Sequence, residues 1–246
     1  MLYFAYGSLC YVIFLATFLY LIGFVEDWVV PKSINDGAEA DRPRALLANI
    51  SLMACFGIQH SIMARPAFKK WWTRIVPVPI ERSTFVLMTC VVLGLVFWQW
   101  RPIRTIVWNV EIDIVRDLLI GVSVGGWLLA LYATFLIDHF DLFGLRQVWF
   151  HLRGADYHHP PFAMPYLYRL VRNPLMLGFL LAMWSWPTMS CGRLLFAGGM
   201  TACILIGVRC EERDLLVILG DDYRRYRERT PMLIPRPPRR ESSARN

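Results

Sequence analysis

The sequence predicts an all-α fold, a polytopic membrane helix bundle of about five to six transmembrane helices that closes on a C-terminal helical hairpin. Three observations carry this expectation. The chain is 56% hydrophobic and 14% aromatic with ten tryptophans, richer in apolar surface than a soluble domain needs. It holds six long stretches without Asp, Glu, Lys or Arg, where one crossing of a hydrocarbon layer takes roughly 20 apolar helical residues. Its basic residues alternate between the intervening loops in the way that fixes membrane orientation.

The first stretch, Met1–Val25, lacks a basic leader and a small-residue cleavage site, and its apolar run is longer than a signal peptide's core. It reads as a retained helix. Ala45–Ala64, Ser83–Trp100 and Leu118–Ile137 follow, joined by short polar segments such as Pro31 to Pro43 and Pro66 to Pro79. Asn173–Gly192 and Leu194–Val208 are parted only by Arg193 and read as a hairpin of two shortish helices. Residues 1–137 would form a four-helix bundle and residues 138–246 a second half of loop, helical hairpin, interfacial helix and basic tail, both within one membrane domain.

With the N-terminus inside, nineteen Lys and Arg fall on the cytoplasmic side and seven outside. This predicts a multi-pass inner-membrane protein with a cytoplasmic C-terminus. The net charge of +7 then faces anionic lipid headgroups of the bilayer rather than nucleic acid. Cys10, Cys55, Cys90, Cys191, Cys203 and Cys210 lie in or beside apolar stretches and form no C-x-x-C pair, so neither a disulfide framework nor a metal site is predicted.

The connection from Asp138 to Arg172 is long, and it mixes His139, Asp141, Arg146, Gln147, His151, His158 and His159 with Phe140, Phe143, Trp149 and Phe150. Long polar and aromatic loops on a rigid scaffold are where function gathers. His139, Asp141 and Arg146 are the candidate catalytic residues, with His60 at the end of the second stretch as a fourth that the topology allows to be a neighbour. His151, His158 and His159 read as plain loop residues. After the hairpin, Glu212, Leu215, Leu216, Leu219, Tyr223 and Tyr226 recur at one-face helical spacing, predicting a single helix from Glu211 to Tyr226. The tail from Arg236 to Asn246 reads as disordered.

The sharpest constellation is Arg172-Asn173-Pro174 with Leu177 and Gly178, then Glu211-Glu212 after the hairpin. Pro174 suits the first turn of a helix and Asn173 its N-cap. Arg172 beside that helix N-terminus suits a carboxylate ligand, and Gly178 lets a flat ligand or a second helix come close. Adjacent glutamates at the end of a membrane helix are costly unless an ammonium, a sulfonium, hydroxyls or an arginine satisfies them. Two readings stand: Arg172 pairs with Glu211 or Glu212, or all three bind a ligand.

The ordered set Arg172, Asn173, Pro174, Gly178, Glu211, Glu212, Leu215, Gly220, Tyr223, Tyr226, Leu233, Ile234 and Pro235 resembles the C-terminal signature of the membrane isoprenylcysteine carboxyl methyltransferase superfamily. The run from Ile137 to Trp149, with Gln59-His60-Ser61 and Glu81-Arg82-Ser83-Thr84, is similar to the branch that methylates methanethiol to dimethyl sulfide. Asn173 departs from the superfamily's usual histidine and carries no positive charge.

This resemblance implies an enzyme that uses S-adenosyl-L-methionine to methylate a small thiol. Arg172 would take the cofactor's carboxylate and Glu211 or Glu212 its ribose or amino group. Leu177, Leu233, Ile234 and Pro235 would form apolar walls, closed by Tyr223 or Tyr226, which as interfacial anchors have an alternative reading. A thiol with a pKa at or above the about 8.5 of cysteine must lose its proton before attack; hence the interest in His139, Asp141 and Arg146. Rival expectations are a prenylcysteine carboxylate or other lipophilic acceptor, a membrane sterol-type reductase, and a haem protein with His60 and His139 as axial ligands.

Overall fold

The computed structural model describes residues 1–38, 40–158 and 164–235. Five helices are long and apolar enough to cross a membrane: α1 (Leu2–Glu26), α2 (Arg42–Met63), α4 (Val78–Gln99), α5 (Asp113–Ile137) and α9 (Cys191–Leu219). Between them lie α3 (Pro66–Trp72), α6 (His139–Leu142), α7 (Leu145–Leu152) and α8 (Pro174–Trp184), and α10 (Asp221–Arg229) follows α9. Helix starts at α2, α3, α4 and α8 each carry a proline in the first two positions, where its missing N–H leaves no bond unmade.

The C-terminal hairpin differs from the expected pair of shortish helices. Helix α8 has only 11 residues, about 16 Å at 1.5 Å per residue, whereas α9 has 29 and carries Glu211 and Glu212 within it. The chain between them forms strand β2 (Thr188–Ser190), which pairs antiparallel with β1 (Ile106–Asn109). Nor does one helix run from Glu211 to Tyr226. Gly220 takes φ 57 and ψ −125, ending α9 and starting α10 in a new direction; glycine alone enters that region freely. Residues 138–172, expected as a loop, hold α6, α7 and a 3-10 turn over Tyr166–Arg169. The tail from Arg236 and His159 lie outside the described residues.

Helices α5 and α8 form the most intimate pair. A Cβ on Gly178 would stand 2.6 Å from the Ala130 nitrogen, and one on Gly126 would stand 2.5 Å from the Ala182 nitrogen. Close backbone approach through small residues is how helices associate in lipid, where apolar burial between them drives little. Of the two readings of Gly178, the structure takes the second helix. The pairing is antiparallel, so one further turn brings Thr134 of α5 level with Pro174 of α8.

Phe24, Trp100, Trp127, Met183 and Phe196 fill the core. At that end Glu26 is buried, accepting from Trp127 Nε1 at 2.6 Å and Ser123 Oγ at 2.9 Å. Arg193, expected as a break between helices, is buried over the Trp186 ring. At the opposite end the starts of α1, α4 and α8 meet the ends of α2, α5 and α9: Tyr6 bonds Thr84, and Arg65 pairs with Asp214.

Candidate functional site

The polar residues singled out above gather at that second end. Arg172 Nε donates to Glu212 Oε1 at 2.7 Å, with both side chains about one-tenth exposed. Its Nη1 donates to the Arg227 carbonyl at 3.0 Å and also to the Thr230 carbonyl. Its backbone N–H donates to Pro231 O, and the Asn173 backbone N–H to Met232 O. Asn173 stands at the N-cap of α8, but its side chain does not cap; Nδ2 donates to Met232 O at 3.3 Å instead. The segment after α10 is thereby strapped across the start of α8.

Tyr223 and Tyr226 are buried rather than displayed as interfacial anchors. Tyr226 donates to the Tyr168 carbonyl at 2.5 Å, and the two tyrosine rings lie 5.8 Å apart. Burial pushes the Tyr226 hydroxyl up to about 12, so it stays a donor at neutral pH. Within the strap Leu233 is buried while Ile234 is three-quarters exposed, because successive residues of an extended chain face opposite sides.

Asp138 connects α5 to α6 with φ 127, a strained value for a residue bearing a Cβ. Its carboxylate fixes the turn by accepting from the Asp141 N–H at 3.1 Å and pairs with Arg146 of α7. Asp141 in turn accepts from the Tyr157 hydroxyl at 2.6 Å and from Gln147 Nε2 at 3.3 Å. Burial, reinforced by the Asp141 contact, raises the Tyr157 hydroxyl well above its ordinary value.

His139 is buried between α1 and α5. Its Nε2 lies 2.8 Å from the Tyr11 hydroxyl and its Nδ1 2.7 Å from Thr134 Oγ1. The Phe135 ring stacks on it, with centroids 4.2 Å apart. Burial lowers its pKa, opposed by Asp138, so the ring is neutral at pH 7. His60 sits elsewhere, between Phe56 and Phe85 with Nδ1 3.4 Å from Thr89 Oγ1. The two histidines share an end of the bundle but no common partner, and among the described residues no group of His, Cys, Asp or Glu is arranged to hold a metal.

Two features were not foreseen as a site. Arg82 of α4 donates Nε to Leu142 O at 2.7 Å and lies over the Phe85 ring, within electrostatic range of Glu81, Asp141, Tyr157 and Glu211. Glu211 itself has no hydrogen bond or ion pair among the described residues, and Arg82 and then Arg65 are the cations that act on it most. A cleft of about 600 Å³ opens between α1 and α7, lined by Phe4, Tyr11, Val12, Phe140, Leu145 and Trp149, with Asp138 and Arg146 at its polar edge. Arg82 had one signal, its place in Glu81-Arg82-Ser83-Thr84. Tyr11 had none, being one aromatic in an unbroken apolar run.

These features define an integral membrane protein with a polar site assembled where six helix ends meet. No family model and no solved structure matches the chain. Curated relatives do. It is 52% identical to methanethiol S-methyltransferase 2 of Bradyrhizobium diazoefficiens, over 94% of this chain and 89% of that protein. It is 48% identical to methanethiol S-methyltransferase of Mycobacterium tuberculosis, over 95% of this chain and 96% of that protein. Mouse nurim is a more distant relative, 29% identical over 79% of each chain. The chain belongs to the methanethiol S-methyltransferase family.

Proposed function

We propose that this protein transfers a methyl group from S-adenosyl-L-methionine to methanethiol, releasing dimethyl sulfide. The observation that supports the donor is Glu211, a carboxylate without a hydrogen-bonding partner among the described residues that feels the charges of Arg82 and Arg65. A zwitterionic amino acid with a ribose needs such a pair of opposite charges, and charge-assisted contacts in a poorly hydrated site contribute about 1.5–3 kcal/mol each. Glu211 would take the ammonium or ribose hydroxyls. Asn173, Pro174 and Leu177, with Tyr223, Tyr226, Leu233, Ile234 and Pro235, would enclose the rest. Arg172 and Glu212, already paired, would hold that enclosure in shape, and Gly178 would serve it through helix packing.

S-adenosyl-L-methionine supplies an electrophilic methyl on a sulfonium. Attack by a thiolate merges opposite charges, which a water-poor pocket favours. The acceptor side would be the cleft beside His139, with Asp141 and Arg146 holding its walls through Tyr157 and Asp138. His60, enclosed by aromatic rings, would pack rather than react. Phe140, Leu145 and Trp149 offer a one-carbon thiol about 25 cal/mol per Å² of apolar contact, so binding is weak.

Residues 1–137 and 138–246 act as one domain in this reading, because Arg82 of the first half completes a site built mainly by the second. The basic-residue distribution supports a cytoplasmic position for the site and the C-terminus. The test is headspace gas chromatography of membranes given S-adenosyl-L-methionine with methanethiol or a farnesylcysteine analogue, alongside calorimetry of donor binding. Dimethyl sulfide from the first mixture is expected, and Glu211→Gln should weaken donor binding at least tenfold. Methyl ester from the second mixture without dimethyl sulfide would overturn the acceptor assignment.

A further inference from the structure

The hydrogen bonds around His139 define which of its nitrogens is free to accept a proton. Thr134 has one hydroxyl hydrogen, and it is directed to the Leu131 carbonyl at 2.6 Å. The Thr134 oxygen therefore faces His139 Nδ1, 2.7 Å away, as an acceptor, and a neutral ring must carry its proton on Nδ1. Nε2 is left with its lone pair, pointing at the Tyr11 hydroxyl 2.8 Å away, which donates to it. Tyr11 has a second face. It lines the cleft between α1 and α7, whereas His139 is buried behind it with 2% of its surface exposed.

We propose that Tyr11 is the residue that touches the acceptor thiol, and that Tyr11, His139 and Thr134 form a chain carrying the thiol proton inward. This rests on the methyl-transfer reading above and adds to it the route of the proton. The thiol S–H breaks and its proton goes to the Tyr11 oxygen, while the hydrogen already on Tyr11 passes to His139 Nε2. The sulfur's freed electron pair forms the new bond to the donor's methyl carbon, and the old carbon–sulfur pair stays on the donor as a neutral thioether. His139 becomes an imidazolium with Nδ1–H held on Thr134, and later loses a proton to water.

Thr134 is a positioning residue: it touches no substrate and sets the tautomer. Asp138 precedes the ring and favours its charged form, lowering the cost of the intermediate state. A buried tyrosine and a neutral histidine in series suit a cleft walled by Phe4, Val12 and Phe140, where a free carboxylate would be costly. The cleft lies against membrane-spanning α1, so an apolar thiol dissolved in the bilayer reaches Tyr11 without first crossing water.

The test measures kcat/KM for dimethyl sulfide formation between pH 7 and 9.5, with S-adenosylhomocysteine affinity recorded for every variant as the check on folding. The titratable and charged groups facing His139 are Tyr11 from α1 and Asp138 from its own turn, the latter paired with Arg146 of α7; α5 presents Thr134 and Phe135. Tyr11→Phe and His139→Gln should each lose about 100-fold at pH 7, the lower range of general-base effects, with the loss shrinking as rising pH ionises the thiol in solution. The double variant should be no worse than either single one, since the residues act as a unit. Thr134→Ser should retain activity and Thr134→Val should lose it. A Tyr11→Phe enzyme within tenfold of the parent, or a defect unchanged across the pH range, overturns the chain while leaving methyl transfer intact. A parent enzyme that makes no dimethyl sulfide overturns the functional reading itself.

Discussion

Arg172 and Glu212 stand 40 residues apart in the chain and 2.7 Å apart in space, and their pairing joins the start of α8, the end of α9 and the strap after α10. Removing one partner of a nearly buried pair leaves the other charge uncompensated, at a cost of about 3–5 kcal/mol. Arg172→Met and Glu212→Gln are therefore each expected to lower thermal stability in detergent and to expose the strap to proteolysis after Arg227 or Arg229. A double-mutant cycle should return a coupling of about 1–3 kcal/mol. Additive effects would show that the pair does not hold the strap.

The α5–α8 contact leaves no room for a methyl group. Gly178→Ala places a Cβ 2.6 Å from backbone nitrogen, which cannot yield as a flexible side chain would, and overpacking of this kind costs about 1–3 kcal/mol. Gly198→Ala in α9 meets nothing within 4 Å, and should be neutral or stabilising by up to about 1 kcal/mol through helix propensity. Thermal unfolding of the two variants side by side checks the contrast.

Acid should weaken the fold through His139. Burial holds its folded pKa below the ordinary 6.5, so as pH falls below about 6.5 the unfolded chain takes up a proton that the folded one does not. By linkage, stability contributed by the neutral ring is fully present above that pH and declines as pH falls toward the folded value. Inactivation midpoints in detergent at pH 7.5, 6.5 and 5.5 should drop steadily for the parent. His139→Gln should show a shallower drop, whatever its starting stability.

The site and the C-terminal helix are expected on the cytoplasmic face. In a background with the six cysteines replaced, Glu228→Cys on the exposed side of α10 should resist an impermeant maleimide in intact cells and react once the membrane is opened. Labelling from outside would invert the topology and move the site across the membrane.

Much of this protein was legible in its sequence because lipid imposes a one-dimensional rule. A helix must satisfy its own backbone in hydrocarbon, so charge-free stretches announced α1, α2, α4 and α5, and the order of Arg172, Pro174, Glu211 and Glu212 announced where the polar end would form. Local sequence also placed Pro174 at a helix start. What it left open was which partner each polar group takes. Spacing leaves Arg172 beside two glutamates with either an ion pair, the better fit, or a ligand, and the fold, by carrying the 230–235 strap over α8, gives it Glu212 and two carbonyls as partners. The sequence likewise allowed a single helix through Gly220, since periodicity records faces and not the sign of φ. His139 stood out at once, but its tautomer and its link to Tyr11 depend on α1 and α5 meeting around it. Tyr11 and His139 are 128 residues apart, and contacts between distant segments are fixed by helix packing, for which an apolar stretch carries almost no local signal.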